Sequence, residues 1–460
     1  MKKIIYLLLW GLISIYSVSH AQQQLAFSFA ETPQTLLLNP GAETNFRYHY
    51  GIPVLSNFNF NANIKGFDLS ELFLNDGQNF DLKFRSVLDQ LKEDDHINID
   101  MRSDILNGGY RYDDKTYLSF GFYQELSSVI YMPKDFIELF YYGNSNFLNR
   151  SFSFSQLTGK LEILGVLHAG ISKKMNSKLN LGARVKVYSS SFHLESNYNS
   201  GTFTTFENET NLLRQSLNNI DAQVRTSGLV DSSTDQVIDT PKDIFTNTFL
   251  GGNLGLGLDV GMTYHVTPQL EFTASILDLG FIRHSKNART YSVEGNYILD
   301  GINFEYDPEN PRDYWQELEQ DFDEKVSSDD SAEAYTSWRP ARINTALKYS
   351  FGEPRSKVCY SDTRKKYYYN AVGLQVHSVF RPKGTLFAFT SFFEKSFSGK
   401  IHAKLTHTMN EYSATIIGSG FSVQWGKVNV FGLSDNLLGV RDLLSASNIT
   451  LNFGINMVIE

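Results

Sequence analysis

The chain has 460 residues, of which 42% are apolar, 14% aromatic and 20% charged; its formal charge is −9 and it carries one cysteine. That much apolar and aromatic side chain excludes a disordered chain, and a single cysteine excludes an intramolecular disulfide framework and any Cys-cluster zinc site. The acidic balance excludes a general nucleic-acid binder, which needs a basic footprint to displace phosphate counterions.

The first element is a leader. Lys2 and Lys3 precede an apolar run over 4–18, followed by Ser19-His20-Ala21. This is the order of a secretory signal peptide, with cleavage expected after Ala21, and the run is too short for a spanning helix. No cysteine follows the cleavage site, which closes the lipoprotein route. Cys359 lies far downstream in a polar stretch and reads as a bystander thiol. Beyond the leader no apolar run reaches 18 residues, so the exported chain is periplasmic, secreted or a β-barrel. Periodicity decides among these.

Period-two segments follow over 53–64, 104–112, 116–124, 162–174, 178–187, 252–266, 270–278, 339–351, 370–380, 385–395, 400–409, 412–425, 427–434 and 448–459. In 252–266 Leu254, Leu256, Leu258, Val260, Met262, Tyr264 and Val266 alternate with small or polar residues such as Gly255, Gly257, Asp259 and Gly261. Leu179, Leu181, Ala183, Val185 and Val187 repeat the pattern, and so do Ile449, Leu451, Phe453, Ile455, Met457 and Ile459. Successive strand side chains point to opposite faces, so each segment has one apolar face and one polar or small face. About 9 to 11 residues carry a tilted strand across a bilayer core, whereas soluble strands run about 5 to 6. The expectation is an all-β, antiparallel transmembrane barrel of about 14 strands.

The connections agree. Threading back from a C-terminal strand that ends in the periplasm places the tight links 113–115, 175–177, 267–268, 396–399 and 426 on one side. It places the long excursions 65–103, 125–161, 199–251 and 279–338 on the other, with 352–369 the one longer periplasmic turn. Short periplasmic turns and long outer loops are the asymmetry of outer-membrane barrels. The organisation expected is a leader over 1–21, an N-terminal segment over 22–52 acting as a hatch or lead-in strand, and a barrel over 53–460.

Several stretches resemble one family. The run Thr35-Leu-Leu-Leu-Asn-Pro40, then Tyr50-Gly-Ile-Pro-Val-Leu-Ser-Asn57 and Gly66-Phe-Asp-Leu-Ser-Glu-Leu72, is similar to the N-terminus of a Bacteroidota family of outer-membrane barrels, domain of unknown function 5723. Residues 178–186, 434–439 and 447–456 look like its central strand and C-terminal pair. The resemblance covers nearly the whole mature chain and implies an outer-membrane location, with no established activity to transfer. Its Asn-Pro motif, here Asn39-Pro40-Gly41, is also similar to one in the long-chain fatty-acid transporter class and in barrel partners of the type IX secretion system.

The chemistry-bearing residues are sparse. His265, His377 and His402 fall on polar strand faces, where a histidine is more often a hydrogen-bonded filler than a ligand. His402 and His407 face opposite ways in a straight strand, which argues against a shared metal. Gly418-Ser419-Gly420 is not a nucleophile elbow, and no Ser/His or Asp/His pair converges on a rim. No enzyme, cofactor or metal is therefore expected. Residues 300–335 hold 13 carboxylates against Arg312 and Lys325, either a solvated outer loop or a docking surface whose Tyr314, Trp315 and Phe322 anchor a partner.

On the polar strand faces Lys178, Arg184, Lys186, Arg342, Lys348, Lys400 and Lys404 stand against Asp259 and Glu271. That is a basic lumen: an anion conduit, one plugged by an acidic segment such as the 300–335 loop or a helix near 86–95, or inward polar packing whose charges pair on neighbouring strands. The function expected is a non-enzymatic outer-membrane barrel, a passive conduit for small or hydrophobic solutes. The alternative is a scaffold or accessory barrel for secretion or surface assembly, of the type IX or gliding kind. Outer-membrane lipid and other surface or secretion proteins are the expected partners, and nucleic acid is not. An open lumen or lateral gap fits the conduit, and a plugged lumen with ordered aromatic loops fits the scaffold.

Overall fold

The computed structural model of the chain describes residues 25–29, 32–207, 213–228, 241–300, 313–355, 367–397, 400–413, 415–437, 439 and 444–459. The leader, residues 301–312 of the acidic stretch and Cys359 lie outside the described residues. One antiparallel sheet runs through the chain. Its strands are β1 (Tyr48–Gly51), β2 (Phe58–Ile64), β3 (His96–Arg111), β4 (Thr116–Tyr131), β5 (Ser151–Ser153), β6 (Gly159–Lys174) and β7 (Leu179–Ser196). There follow β8 (Ser200–Glu207), β9 (Leu213–Ser227), β10 (Asn253–His265), β11 (Leu270–His284), β12 (Ala288–Leu299), β13 (Val326–Ser331) and β14 (Tyr335–Trp338). The last are β15 (Arg342–Arg355), β16 (Tyr367–Phe380), β17 (Thr385–Phe397), β18 (Ile401–Met409), β19 (Ile416–Trp425), β20 (Val428–Ser434) and β21 (Asn448–Ile459).

The sheet closes into a 14-strand barrel. β1 and β2 form one wall strand, pairing with β3 on one side and β21 on the other. β14 and β15 form another, both pairing with β11. The ring runs β1/β2, β3, β4, β6, β7, β10, β11, β14/β15 and β16 through β21, and the β21 to β1/β2 ladder closes it. Each of the 14 segments read from the sequence corresponds to one wall strand. No helix among the described residues is long and apolar enough to cross a membrane, which says nothing against crossing by strands.

The alternation sorts the two faces. Leu254, Leu256, Leu258 and Val260 of β10, Leu181 and Val185 of β7, and Leu451, Phe453 and Met457 of β21 are exposed on the outside. Asp259, Asn180, Arg184, Lys186, Asn448, Thr450, Asn452 and Asn456 on the same strands are buried inside. Trp338, exposed by 72%, is the last residue of β14 in the long-loop half of the wall strand β14/β15, and Trp425, exposed by 86%, sits at the short-turn end of β19. Such an apolar outside fringed by aromatics is the surface of a barrel that faces lipid.

Three of the register shifts in the wall bear on the lumen. In β11 an extra residue opposes β10 between Leu258 and Val260; Asp278 there has a φ of 60°, and both Leu277 and Asp278 turn inward. β3 shifts register between Asp104 and Leu106, and β6 against β7 at Ile163/Leu164. Bulges of this kind re-aim side chains locally.

The long-loop end carries the rest. β9 pairs with β7, β8 and β12, and β12 with β13, extending the sheet beyond the ring. The helix Phe80–Gln90 packs on the loop helices Leu69–Phe73 and Lys134–Tyr142. It corresponds to the helix expected near 86–95, and it packs among the loops instead of plugging the lumen.

Candidate functional site: an N-terminal plug, a charged belt and a cavity

Residues 25–29 and 32–46 lie inside the barrel. From the long-loop side inward, the Leu25 amide donates to Asp435 at 3.0 Å, and Lys404 donates to the Phe27 carbonyl at 2.8 Å. Leu25, Ala26, Phe27, Phe29 and Leu38 bury against Ala346, Phe431 and Leu433. Toward the short-turn end, Ser172 and Asn180 donate to the Ala42 carbonyl and Arg111 to the Thr44 and Phe46 carbonyls. Leu36, Ala42 and Phe46 cluster there with Tyr117 and Val458.

The middle of the plug is one helical turn, Thr35–Leu38. Pro40 ends it, because a residue before proline is pushed out of the helical region; Asn39 is extended at φ −144°, ψ 101°. The Asn39 side chain accepts from the Gly41 amide at 2.9 Å and donates to the Met262 carbonyl at 3.1 Å. Gly182 and Gly261 face each other across the β7–β10 ladder, and a Cβ on either would run into Pro40 or Asn39. The small face read in β10 is thus the floor on which Asn39-Pro40-Gly41 rests.

A short helix leaves carbonyls without partners. Arg184 supplies them: it donates to the Leu36 carbonyl at 3.0 Å and the Leu37 carbonyl at 2.6 Å, and through Nε to Asp259 at 2.7 Å. Around it runs a belt of paired charges. Lys186 lies 3.0 Å from Asp259 and 2.5 Å from Asp278, and Arg342 Nε donates to Asp278 at 2.9 Å. Arg339 bridges Glu125 at 2.5 Å and Glu162, and Arg102 pairs with Asp104 at 3.2 Å over the Tyr123 ring. Beside this arc β2 and β21 present amide and hydroxyl side chains to the interior: Thr450 donates to Asn61 at 2.9 Å and Asn448 to Asn63.

The plug leaves a cavity of about 950 Å³ at the short-turn end. Phe29, Leu36, Glu43 and Phe46 line it from the plug, and His265, Glu271, Lys348, Glu394 and His402 from the wall. His265 Nε2 is 3.1 Å from Glu43, and Lys348 is 3.1 Å from Glu271. A space of this size, part apolar with a few fixed polar groups, is that of small-molecule sites. Glu43, His265 and Glu271 stand close enough to share a cation, but His265 Nε2 and Glu43 already face each other.

The lumen candidates separate accordingly. Arg184, Lys186, Asp259 and Arg342 meet in the belt, Glu271 and Lys348 in the cavity wall, and Lys404 under the plug, 3.3 Å from Glu394. Lys178 is exposed at the short-turn mouth of the cavity, and Lys400 is exposed in the short turn before β18. The basic excess inferred from strand parity is corrected by Asp278, Asp104, Glu125 and Glu162, all buried beside cations. Two of these stand at or beside bulges, and Glu125 follows the end of its expected strand. Of the docking aromatics, Trp315 is exposed on the helix Tyr314–Lys325, whereas Phe322 packs edge-on against Tyr297 at 5.0 Å within its own loop. Tyr314 belongs to the same helix.

No curated protein matches the chain. Among solved structures it is similar to the toluene transporter TbuX of Ralstonia pickettii, with 11% identity over 97% of this chain and 100% of that one at a TM-score of 0.43. It is similar also to the monoaromatic hydrocarbon channel CymD, with 8% identity over 97% and 99% of the two chains at 0.42. A FadL homologue of Pseudomonas aeruginosa shows 9% identity over 93% and 94% at 0.40. The sequence itself matches the profile of one family over residues 40–435, so the chain belongs to the family of unknown function DUF5723.

Proposed function

We propose that this protein is an outer-membrane barrel that acts as a gated conduit for small, partly apolar solutes, with residues 25–46 as the gate. The apolar outside, its two tryptophan-marked ends and the asymmetry between short turns and long loops support insertion in that membrane, with the short turns in the periplasm. The observation that carries the conduit reading is the cavity beside the plug: the N-terminal segment occupies the lumen without filling it. The plugged lumen by itself fits the scaffold expectation; the room left beside the plug is what favours a conduit. This plug is held largely by hydrogen bonds from wall side chains to its backbone, which can be exchanged for water one at a time.

A reversible lock tests it. Ser28 Oγ and Thr273 Oγ1 are 3.4 Å apart, so S28C/T273C in a C359S background ties plug to wall when oxidised. In proteoliposomes the reduced form admits small solutes and conducts, and the oxidised form does neither. Equal uptake in both states refutes the gate, and no uptake in either refutes the conduit.

A further inference from the structure

On the outside of the barrel, toward its long-loop end, one loop is strapped flat against the wall. Gln124 of β4, Gly165 of β6, Ser189 of β7 and Leu254 of β10 stand opposite one another through consecutive ladders, and Phe122, Leu167, Val187 and Leu256 form the row beside them. Leu167, Leu254 and Leu256 are exposed, so both rows face outward. The helix Pro241–Asn247 and the residues after it cross them. Ser189 Oγ donates to the Asn247 carbonyl at 2.8 Å, Gln124 donates to Thr248 Oγ1 at 2.7 Å, and Phe249 stacks on Phe122 at 4.8 Å. A Cβ on Gly165 would strike the Thr248 carbonyl, so the glycine is what lets the strap touch the strand.

The strap hides the polar groups of this stretch of wall and offers apolar ones in their place. Ser189 and Thr248 are buried, whereas Phe245, Phe249 and Leu250 are each about half exposed. Large apolar side chains left uncovered on a loop mark an interaction surface. Beside a lipid-facing wall, such a segment lies in the interface with its apolar side in the acyl chains.

Cations rim the same surface. The outward column of β11 runs through Ile276, Leu279 and Phe281, all exposed, and ends at Arg283; the Phe281 ring meets Trp338 edge-on at 5.8 Å. Arg283 donates to Thr336 Oγ1 at 3.3 Å, and Lys286 to the Gly251 carbonyl, where the strap returns to β10, at 2.9 Å. Among the described residues neither meets a carboxylate, whereas Arg184, Lys186, Arg339 and Arg342 inside the barrel all do. Two uncompensated cations directly above an aliphatic and aromatic surface match a lipid with its anionic group above and its chains below.

The geometry points to a binding site for one phosphate-bearing lipid of the outer leaflet, of the lipid A kind. Arg283 and Lys286 hold the phosphate, and the acyl chains run over Phe249, Leu250, Leu254 and Phe281. Arg283 presents paired N–H donors to the phosphate oxygens, and Lys286 a point charge. Asn253, the first residue of β10, accepts from the Ser285 and Lys286 amides at 2.8 and 2.7 Å, which fixes Lys286 beside the strap. Bound lipid therefore fastens the strap and the end of β11 together. The site lies outside the lumen and is indifferent to whether the barrel conducts.

The test uses full-length mature protein, delipidated in mild detergent and titrated with lipid A or with the same lipid after enzymatic removal of its phosphate; bound lipid is counted by native mass spectrometry. One lipid A per chain is retained at concentrations where the dephosphorylated form is not. The double variant Arg283→Gln, Lys286→Gln lowers lipid A affinity roughly 30-fold and abolishes the preference for phosphate. Phe249→Ser with Leu250→Ser weakens binding of both lipids. Lys427→Gln, beside the exposed Trp425 in a short turn, changes neither. Barrel integrity is read by heat-modifiable migration on gels. Equal retention of the two lipids, or unchanged affinity in the Arg283/Lys286 variant, overturns the assignment. So does a lipid-free dimer that Phe249→Ser with Leu250→Ser disperses, which would give the surface to a second copy of the chain. Should the strap variant fail to fold, the charge variant and the dephosphorylated lipid still decide it.

Discussion

Replacing Arg184 by Met removes the side chain that joins gate to wall while keeping most of its volume. In the structure its guanidinium caps the Leu36 and Leu37 carbonyls and pairs with Asp259, and it is 3% exposed. Removing one partner of a buried ion pair costs about 3–5 kcal/mol when the other is left alone. Asp259 is not left alone, because Lys186 stays 3.0 Å away and the Asp278 amide donates to it at 2.7 Å. That ion-pair cost falls on both states of the gate, because Arg184 and Asp259 both stand on the wall; the closed state alone loses the two carbonyl contacts, about 1.5 kcal/mol each at the low end for charged donors, or about 3 kcal/mol together. At about 1.4 kcal/mol per decade, the ratio of open to closed gate rises roughly 100-fold. Planar-bilayer recordings of Arg184→Met are expected to show openings that are rare in the parent protein. In a C359S background, a cysteine at Leu37, which is buried in the closed plug, becomes reactive to a water-soluble maleimide. Unchanged conductance together with unchanged labelling would refute the clasp.

Gly182→Val places a branched side chain where Pro40 lies; the gate lifts from its floor and solute leak increases in the liposome assay, with the barrel still heat-modifiable. Leu374→Arg sets a charge on an outward position that is 59% exposed. At mid-membrane depth this costs about 2–4 kcal/mol, read as a lower urea midpoint in liposomes, whereas an equal midpoint counts against a lipid-facing wall. Among the loops, Lys65 lies 2.5 Å from Asp94 and 3.4 Å from Glu411. Lys65 holds the Asp94 carboxyl below the usual carboxylate range, so its contribution is present above pH of about 4 and is lost as pH falls through the depressed value. Burial pushes Glu411 up, so its protonation comes first and relieves a cost. A spin label at Gln78 is expected to keep its mobility from pH 7 to about 5 and to loosen below about 4; the exposed pair contributes under about 1 kcal/mol. Loosening already at pH 6 would show that another group controls the loop.

The wall was legible because lipid outside and water-sized polar space inside impose strict alternation on each strand. Four expected segments began or stopped short of the structural strand near a bulge: 104–112, 162–174, 178–187 and 270–278. At Asp278 and Asp104 the parity rule fails within one residue, which is why a neutral-paired belt read as basic. The outer extension was missed for a different reason. Strands β8, β9 and β12 carry polar residues on both faces, as in Leu213–Ser227, so no period of two marks them. Within the site, Arg184, Lys186, Asp259 and Arg342 were found by parity, but their partners on the plug are backbone carbonyls, which no side-chain pattern announces.

The gate and the seam of the barrel are one continuous stretch of chain. Only Arg47 separates Phe46, at the foot of the plug, from β1, and β1 pairs with β21 through Tyr48 opposite Ile459. The two strands that close the ring are therefore far apart in the chain, a pairing of very high sequence separation and correspondingly slow formation. A plug fastened to the closing strand is enclosed as the ring shuts around it. Assembly and gating thus draw on the same contacts, and variants that loosen the gate will also change how fast, and in what yield, the barrel is completed.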